Sequence, residues 1–304
     1  MTPDLESSWD DRARRFPSAA PFAGPFPFAP FLEAWARHAA APGAEQVVVS
    51  SADGALPIWI DDRAVRFQGQ ADLTDYHSPL GDSIDACMVQ VAERYAGYGF
   101  SFDSLPEEAL GPVVRSLEGV SASVAASEHS ATVVLDLPTT FETWLAGLSK
   151  KHRHEIRRKQ RRFGELVGEA VYERRSDPEA FAAFVDMHRK ADGAKGTFMT
   201  ARVERFFRAL LTEAGATVDV LSVAGRPVAA AFGFADNQGY YLYNSAYEPE
   251  LVGAAPGIVL LAAMIERSIS DGVARFDFLK GDERYKYHLG GVERPLWIVA
   301  GAFA

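Results

Sequence analysis

Cysteine is almost absent from this 304-residue chain. Cys87 stands alone, which excludes an internal disulfide and any zinc or iron–sulfur centre built from several thiolates. Long apolar runs are missing as well. The uncharged stretch from Leu251 to Ile265 is too short to span a bilayer and contains Pro256. The start, Met1 to Trp9, is acidic and lacks the apolar segment of a secretory signal. The expectation is a cytoplasmic protein without a membrane span. Positive charge is scarce overall, and a net charge of −10 argues against a DNA-binding protein. There is no Walker loop, no dinucleotide G-x-G-x-x-G after a strand, no G-x-S-x-G elbow and no kinase motif set. His154-Glu155 lacks the second histidine of a zincin motif, and no second His or Cys at ligand spacing accompanies His188, so no metal is expected.

What is present is ample core material, with 48% hydrophobic and 12% aromatic residues. The length suits two domains, and the division is expected at 1–137 and 138–304. Between Phe16 and Phe31 five prolines alternate with phenylalanines. Proline forbids regular structure there while phenylalanine seeks burial, which predicts an extended chain lying over a core. A helix is expected near 31–41. Strands follow near 46–51 and 57–68 about an Ala52-Asp-Gly54 turn, then a helix near 84–97 and strands near 99–103 and 121–137.

Thr140 caps a long helical stretch in which Phe141, Leu145, Leu148, His152, Ile156 and Phe163 form one apolar stripe. On its other faces, Lys150 to Arg162 hold eight Lys/Arg and one Glu, a local excess of +7 in an acidic chain. A strand near 169–174 and helices near 178–191 and 202–214 come next. Three strands near 218–224, 227–235 and 239–247 follow, joined by turns at Gly225-Arg-Pro227 and Asp236-Asn-Gln-Gly239. A helix near 257–271, a strand near 275–279 and a last strand near 297–302 complete the pattern.

That order resembles the GNAT acyltransferase fold. The chain is similar more widely to GNAT-like acyltransferases first noted among cellulose-biosynthesis proteins, themselves related to Fem-type aminoacyltransferases. The residues carrying the likeness are Trp9 with Phe28, Phe31, Leu32 and Trp35; Leu148-Ser-Lys-Lys-His-Arg153 with Arg157-Arg158 and Arg161-Arg162-Phe163; His188-Arg189 and Gly196-Thr197-Phe198; Gly225 to Ala231; Tyr240-Tyr-Leu-Tyr243 and Ser245-Ala246; and above all Phe276-Asp-Phe-Leu-Lys-Gly-Asp-Glu-Arg-Tyr-Lys286. The resemblance implies an α+β protein of two tandem GNAT-like (acyl-CoA N-acyltransferase) halves. Each would be a mixed, mostly antiparallel sheet flanked by helices, and the first would lack its own cofactor. It implies acyl transfer from acyl-CoA, with acetyl-CoA the expected donor, to an amine or hydroxyl of a small-molecule or saccharide acceptor. The glycine-rich pyrophosphate signature of ordinary GNAT enzymes, Q/R-x-x-G-x-G/A, is absent.

Within that frame, the Gly253-Ala-Ala-Pro-Gly-Ile258 stretch opens a helix. Ala255, Gly257 and Ile258 would offer the helix N-terminus to a pyrophosphate, or else form a small-residue helix start packed on a sheet. Asp277, between Phe276 and Phe278, would face away from both as a candidate base, or pair with a neighbouring cation. His188 is the second candidate base, or a hydrogen-bonded structural histidine. Asp282, Tyr285 and Lys286 form a polar cluster after the strand. A tyrosine stays protonated where a thiol ionises, which makes Tyr285 the candidate acid at a departing thiolate. Lys286 would meet a phosphate or carboxylate, Asp282 the acceptor, and the alternative for all three is a charged surface turn. Backbone amides near Ala246 would stabilise the oxyanion. Arg153 and Arg157 recur with Arg161 at i+4 spacing and would hold an anionic group, or form a solvated face. Tyr241 and Tyr243 share a strand face and line the acceptor pocket or pack in the core. Two rival readings accompany the acyl-CoA enzyme: a Fem-like transferase using aminoacyl-tRNA, supported by the basic helix, and a non-catalytic GNAT-like binding module.

Overall fold

The computed structural model describes residues 9–304; the acidic segment Met1–Ser8 lies outside the described residues. The chain forms two compact units, one of residues up to Ala131 together with Arg294–Ala304, the other Thr132–Glu293. The expected halves were 1–137 and 138–304, so the last strand groups with the first unit.

The first unit holds α1 (Ala29–His38), β1 (Glu45–Ser50), β2 (Gly54–Asp61), β3 (Ala64–Phe67), the two-residue β4 (Leu80–Gly81), α2 (Asp85–Arg94), β5 (Gly99–Pro106), α3 (Glu107–Leu117) and the start of β6 (Ser121–Asp136). The proline–phenylalanine segment is a series of turns rather than an extended arm. Those turns bury Phe26 against Tyr76 and against Phe31 of α1, each such burial contributing about 1.5–3 kcal/mol. The β1–β2 turn falls where Ala52-Asp-Gly54 predicts it: Ser51 Oγ accepts from Asp53 N and Gly54 N at 3.2 Å each. Helix α3 is the element that sequence patterning misses, because Gly111 and Pro112 lie inside it and both are helix-breaking signals. β1, β2 and β3 pair antiparallel and β3 pairs parallel with β5.

The second unit continues from the end of β6 with α4 (Phe141–Gly147), α5 (Lys150–Leu166), β7 (Ala170–Arg175), α6 (Pro178–Lys190), α7 (Ala194–Phe198), α8 (Ala201–Glu213), β8 (Thr217–Val223), β9 (Arg226–Ala235), β10 (Gly239–Tyr247), α9 (Pro256–Ser270), β11 (Arg275–Lys280) and α10 (Arg284–His288). β12 (Val292–Phe303) then returns to the first unit, where it pairs antiparallel with β5. The single long helix predicted after Thr140 is two helices. Thr140 Oγ1 caps α4 at Thr143 N, 3.1 Å, and Ser149 Oγ caps α5 at His152 N, 3.2 Å. A side-chain oxygen that meets an orphan amide restarts the helix, while Leu145, Leu148, Ile156 and Phe163 still fall on one buried face.

The sheet of this unit runs β6-β11-β10-β9-β8-β7, and only β10·β11 is parallel. Helices α4, α5 and α9 cover one face through a cluster containing Leu260, Ile265, Tyr240, Leu242, Phe276 and Phe278. On the other face, Phe184 of α6 and Phe207 of α8 pack on Phe232 and Tyr243. At one end of the sheet, Asp219 is fully buried. It accepts from Tyr240 OH at 2.6 Å, from Arg174 Nε at 2.9 Å and from Tyr172 OH.

Candidate active site

The second unit opens where its one parallel pair ends. β10 and β11 run together only where Gly239–Tyr241 meet Arg275–Asp277. Beyond that, β10 continues on β9 with a bulge between Leu242 and Asn244, and β11 leaves toward β6 with its own irregularity between Asp277 and Lys280. Irregularities in both strands at one level turn them apart and leave a wedge with unpaired strand edges. Asp277 shapes that divergence. It is 3% exposed, its Oδ1 accepts Leu279 N–H at 2.7 Å, and Leu279 takes the left-handed φ of 58°. Phe276 and Phe278 pack together on the α9 side, so strand alternation places Asp277 on the face toward α6, level with Tyr241 in the parallel register.

At the mouth of the wedge the chain makes a short turn, Pro249–Ala254, and enters α9 through Ala255, held left-handed at φ 57°. Pro256 starts the helix and no side chain caps it. Pro256 carries no amide proton and Ala255 N–H is taken by Val252 O at 3.1 Å, so Gly257 N–H and the positive end of a 15-residue helix are left for an anion. A Cβ on Gly257 would sit 3.4 Å from the Tyr247 ring, so the helix start and the end of β10 touch. Ala246 is buried beside them on β10, and Ile258 N–H turns back to Ala255 O at 3.1 Å.

His188, 1% exposed on α6, reaches the bulge: its Nε2 is 3.1 Å from Asn244 Oδ1. That oxygen also accepts Ser245 N–H at 2.8 Å, which fixes the amide orientation. Nε2 therefore carries the proton, and Nδ1, buried without a hydrogen-bond partner, keeps the lone pair. Burial lowers the imidazole pKa from its usual 6.5, the Asn244 bond opposes that, and the Lys195 charge lowers it further.

A cavity of about 250 Å³ adjoins the wedge, lined by Ala191, Asp192, Lys195, Tyr247, Pro249 and Val252. Lys195 is open to solvent at its rim, yet protein atoms crowd its ammonium enough to lower its pKa, with Glu283 pulling the other way. Following β11, Lys286 is 2% exposed. Its ammonium donates to the carbonyls of Leu279 (3.2 Å), Lys280 (2.6 Å) and Gly281 (3.2 Å) and pairs with Glu283 at 3.0 Å. All its protons point into its own loop, so Lys286 pins the segment after the wedge. Burial, and then the Glu283 charge, push the Tyr285 phenol well above its usual pKa of 10. It is a neutral hydrogen-bond donor that holds its proton more tightly than a thiol does.

The remaining candidates disperse. Tyr241 is buried, and Tyr243 stacks on Phe207 with ring centres 5.2 Å apart. Arg153 donates to Ala146 O at 3.0 Å and so closes the end of α4, Arg157 is exposed on α5, and Asp282 is exposed in the loop. The structure adds Asn244, Lys195 and Glu283, which sequence reading passes over. Asn244 carries a signal, since asparagine is disfavoured in a strand interior. Lys195 and Glu283 carry none, because their significance lies in a tertiary approach. Among the described residues no group of three or more His, Cys, Asp or Glu side chains gathers as metal ligands would, and no helix is long and apolar enough to cross a membrane.

Residues 150–287 match the sequence model of the acetyltransferase (GNAT) domain. No curated protein matches the chain. Among solved structures, a conserved protein of unknown function from Bacteroides thetaiotaomicron VPI-5482 is similar over 99% of this chain and 100% of its own, with a TM-score of 0.69 at 16% identity. FemX is similar over 94% and 93%, with a TM-score of 0.62 at 11% identity. L-PGS from Bacillus licheniformis is similar over 84% of each chain, with a TM-score of 0.55 at 13% identity. These likenesses establish a shared fold: the second unit is GNAT-like, a mixed, mostly antiparallel sheet between two helical layers.

Proposed function

We propose that the second unit is an acyltransferase that moves an acyl group, acetyl in the first instance, from acyl-CoA to the amine or hydroxyl of a small acceptor in the cytoplasm. The observation that carries this reading is the wedge between β10 and β11, with an uncapped helix start at its mouth. Unpaired strand edges suit the amide-bearing pantetheine arm, and the first turn of α9 suits its diphosphate. Ala255, Gly257 and Ile258 provide that turn. The motif from Phe276 to Lys286 supports placing the chain with the cellulose-biosynthesis-associated branch of such proteins, its first unit serving without a donor of its own.

In this mechanism the acceptor nitrogen forms a bond to the thioester carbonyl carbon, the carbon–sulfur bond breaks, and one proton passes from nitrogen to sulfur. His188 Nδ1, neutral and unpartnered, receives the proton while Asn244 holds the ring. Amides of β10 near Ala246 steady the oxyanion. Tyr285 donates a hydrogen bond to the leaving sulfur, which takes up the proton that His188 releases. Asp277 and Lys286 act as positioning residues: one sets the divergence of β11, the other fixes the loop that presents Tyr285.

The exposed arginines of α5 favour a second reading, in which the acyl donor is an aminoacyl-tRNA held through its phosphates. Calorimetric titration with acetyl-CoA, free CoA and charged tRNA at two salt concentrations separates them. Saturable CoA binding at one site, weakened about tenfold or more by Gly257→Leu, supports the first reading. Binding of tRNA alone, falling steeply with salt, replaces it with the second, and silence toward both ligands leaves a binding module.

A further inference from the structure

The cavity beside the wedge is where a further assignment is possible. Its volume of about 250 Å³ lies below the roughly 300–1,000 Å³ of pockets that enclose drug-sized ligands, so its occupant is small. Ala191, Tyr247, Pro249 and Val252 give it apolar walls, and one cation and one anion stand in the lining, Lys195 and Asp192. Asp192 comes from the short connection after α6 and Lys195 from the first turn of α7, with Gly193 between them turning the chain at φ 67° so that the two side chains flank one opening. Neither is paired in an ion pair with the other or with any residue described above, in contrast to neighbouring Lys190, which is bound to Asp186 at 2.6 Å and Glu248 at 3.0 Å. Lys195 also lies close enough to His188 and to Glu283 for its charge to act on the first and respond to the second. Through Lys195 the cavity lining is electrostatically linked to His188 on one side and to Glu283 on the other.

We propose that this cavity is the acceptor site and that it takes a free α-amino acid, Lys195 binding the carboxylate and Asp192 the ammonium group, which gives one proton to solvent before the neutral amine enters as the nucleophile. Opposite charges two bonds apart on a small body match a cation and an anion flanking one opening, and the apolar walls accept a compact side chain. A carboxylate fixed at Lys195 brings the adjacent nitrogen toward His188. The assignment rests on the acyltransferase reading for what then happens to that nitrogen, but the recognition itself is independent of any donor.

Calorimetry on the full chain tests it, with the common L-amino acids each run against its own α-carboxamide, and with free CoA run separately. The expected result is saturable binding of at least one amino acid, about 10- to 100-fold weaker for the carboxamide, as loss of a charge-assisted contact implies. Lys195→Met should abolish that preference and leave CoA affinity unchanged, and Asp192→Asn should weaken the amino acid in the same way. Equal binding of acid and carboxamide overturns the assignment. So does a Lys195→Met protein that loses CoA and keeps the amino acid, which would give the cavity to the donor. Absence of amino-acid binding overturns it whether or not CoA binds. Absence of CoA binding with discriminating amino-acid binding defeats the acyltransferase reading alone.

Discussion

His188 and Asn244 are joined across two layers, an imidazole on α6 and an amide at the bulge of β10, 3.1 Å apart. The bulge is what turns Asn244 toward the helix, and Ser245 N–H holds its oxygen in place at 2.8 Å. The pair thereby selects one histidine tautomer. Replacing His188 by Gln should lower kcat by about 100- to 10,000-fold, the range for losing a general base, with donor affinity unchanged. Asn244→Asp would put a carboxylate beside the ring and favour imidazolium, so the acidic limb of the kcat/KM profile should move to higher pH. A profile that stays in place would show that His188 does not report on the rate.

The same histidine has a thermodynamic signature. The native state holds its pKa below 6.5, and His288 is shifted in the same direction. As pH falls through 6.5 the unfolded chain binds protons that the native protein refuses. Stability is therefore full above that value and declines until the native pKa is passed. Urea unfolding at pH 7.5 and 5.5 should show this loss, and His188→Gln should reduce it.

Asp219 predicts a stability effect without a direct catalytic one. It alone receives Tyr240 OH, Arg174 Nε and Tyr172 OH. Asp219→Ala leaves a guanidinium and two hydroxyls without it, which should cost about 3–5 kcal/mol. Chemical denaturation reads the loss.

Lys286 makes a local prediction. Lys286→Met removes the ammonium shared by three carbonyls, at a cost of about 1–3 kcal/mol for each group left unsatisfied. Amide exchange should accelerate across 279–286 before the rest of the unit responds, and kcat should fall with it.

The strands and turns from 217 to 247 and the helix at 256–270 are legible in the sequence because period-two patterning, turn residues and Pro–Gly punctuation agree there. Helix α3 is hidden by Gly111 and Pro112, and the break between α4 and α5 by a stripe that Leu148 carries straight through it. At the site, polar residues near the C-terminal strand attract notice by type. Their orientation does not: Lys286 faces inward and Arg153 turns back on α4. Lys195 lies 88 positions from Glu283 along the chain, and no local pattern announces their proximity.

The second unit is one uninterrupted stretch, Thr132–Glu293, whereas the first needs Arg294–Ala304 to finish its sheet, β12 lying against β5. During synthesis, β5 has no partner on that edge until the residues near 300 have left the ribosome. The second unit has all its strands in hand earlier, so the usual order of N-terminal folding first is reversed: the second unit matures while its predecessor still waits for an edge.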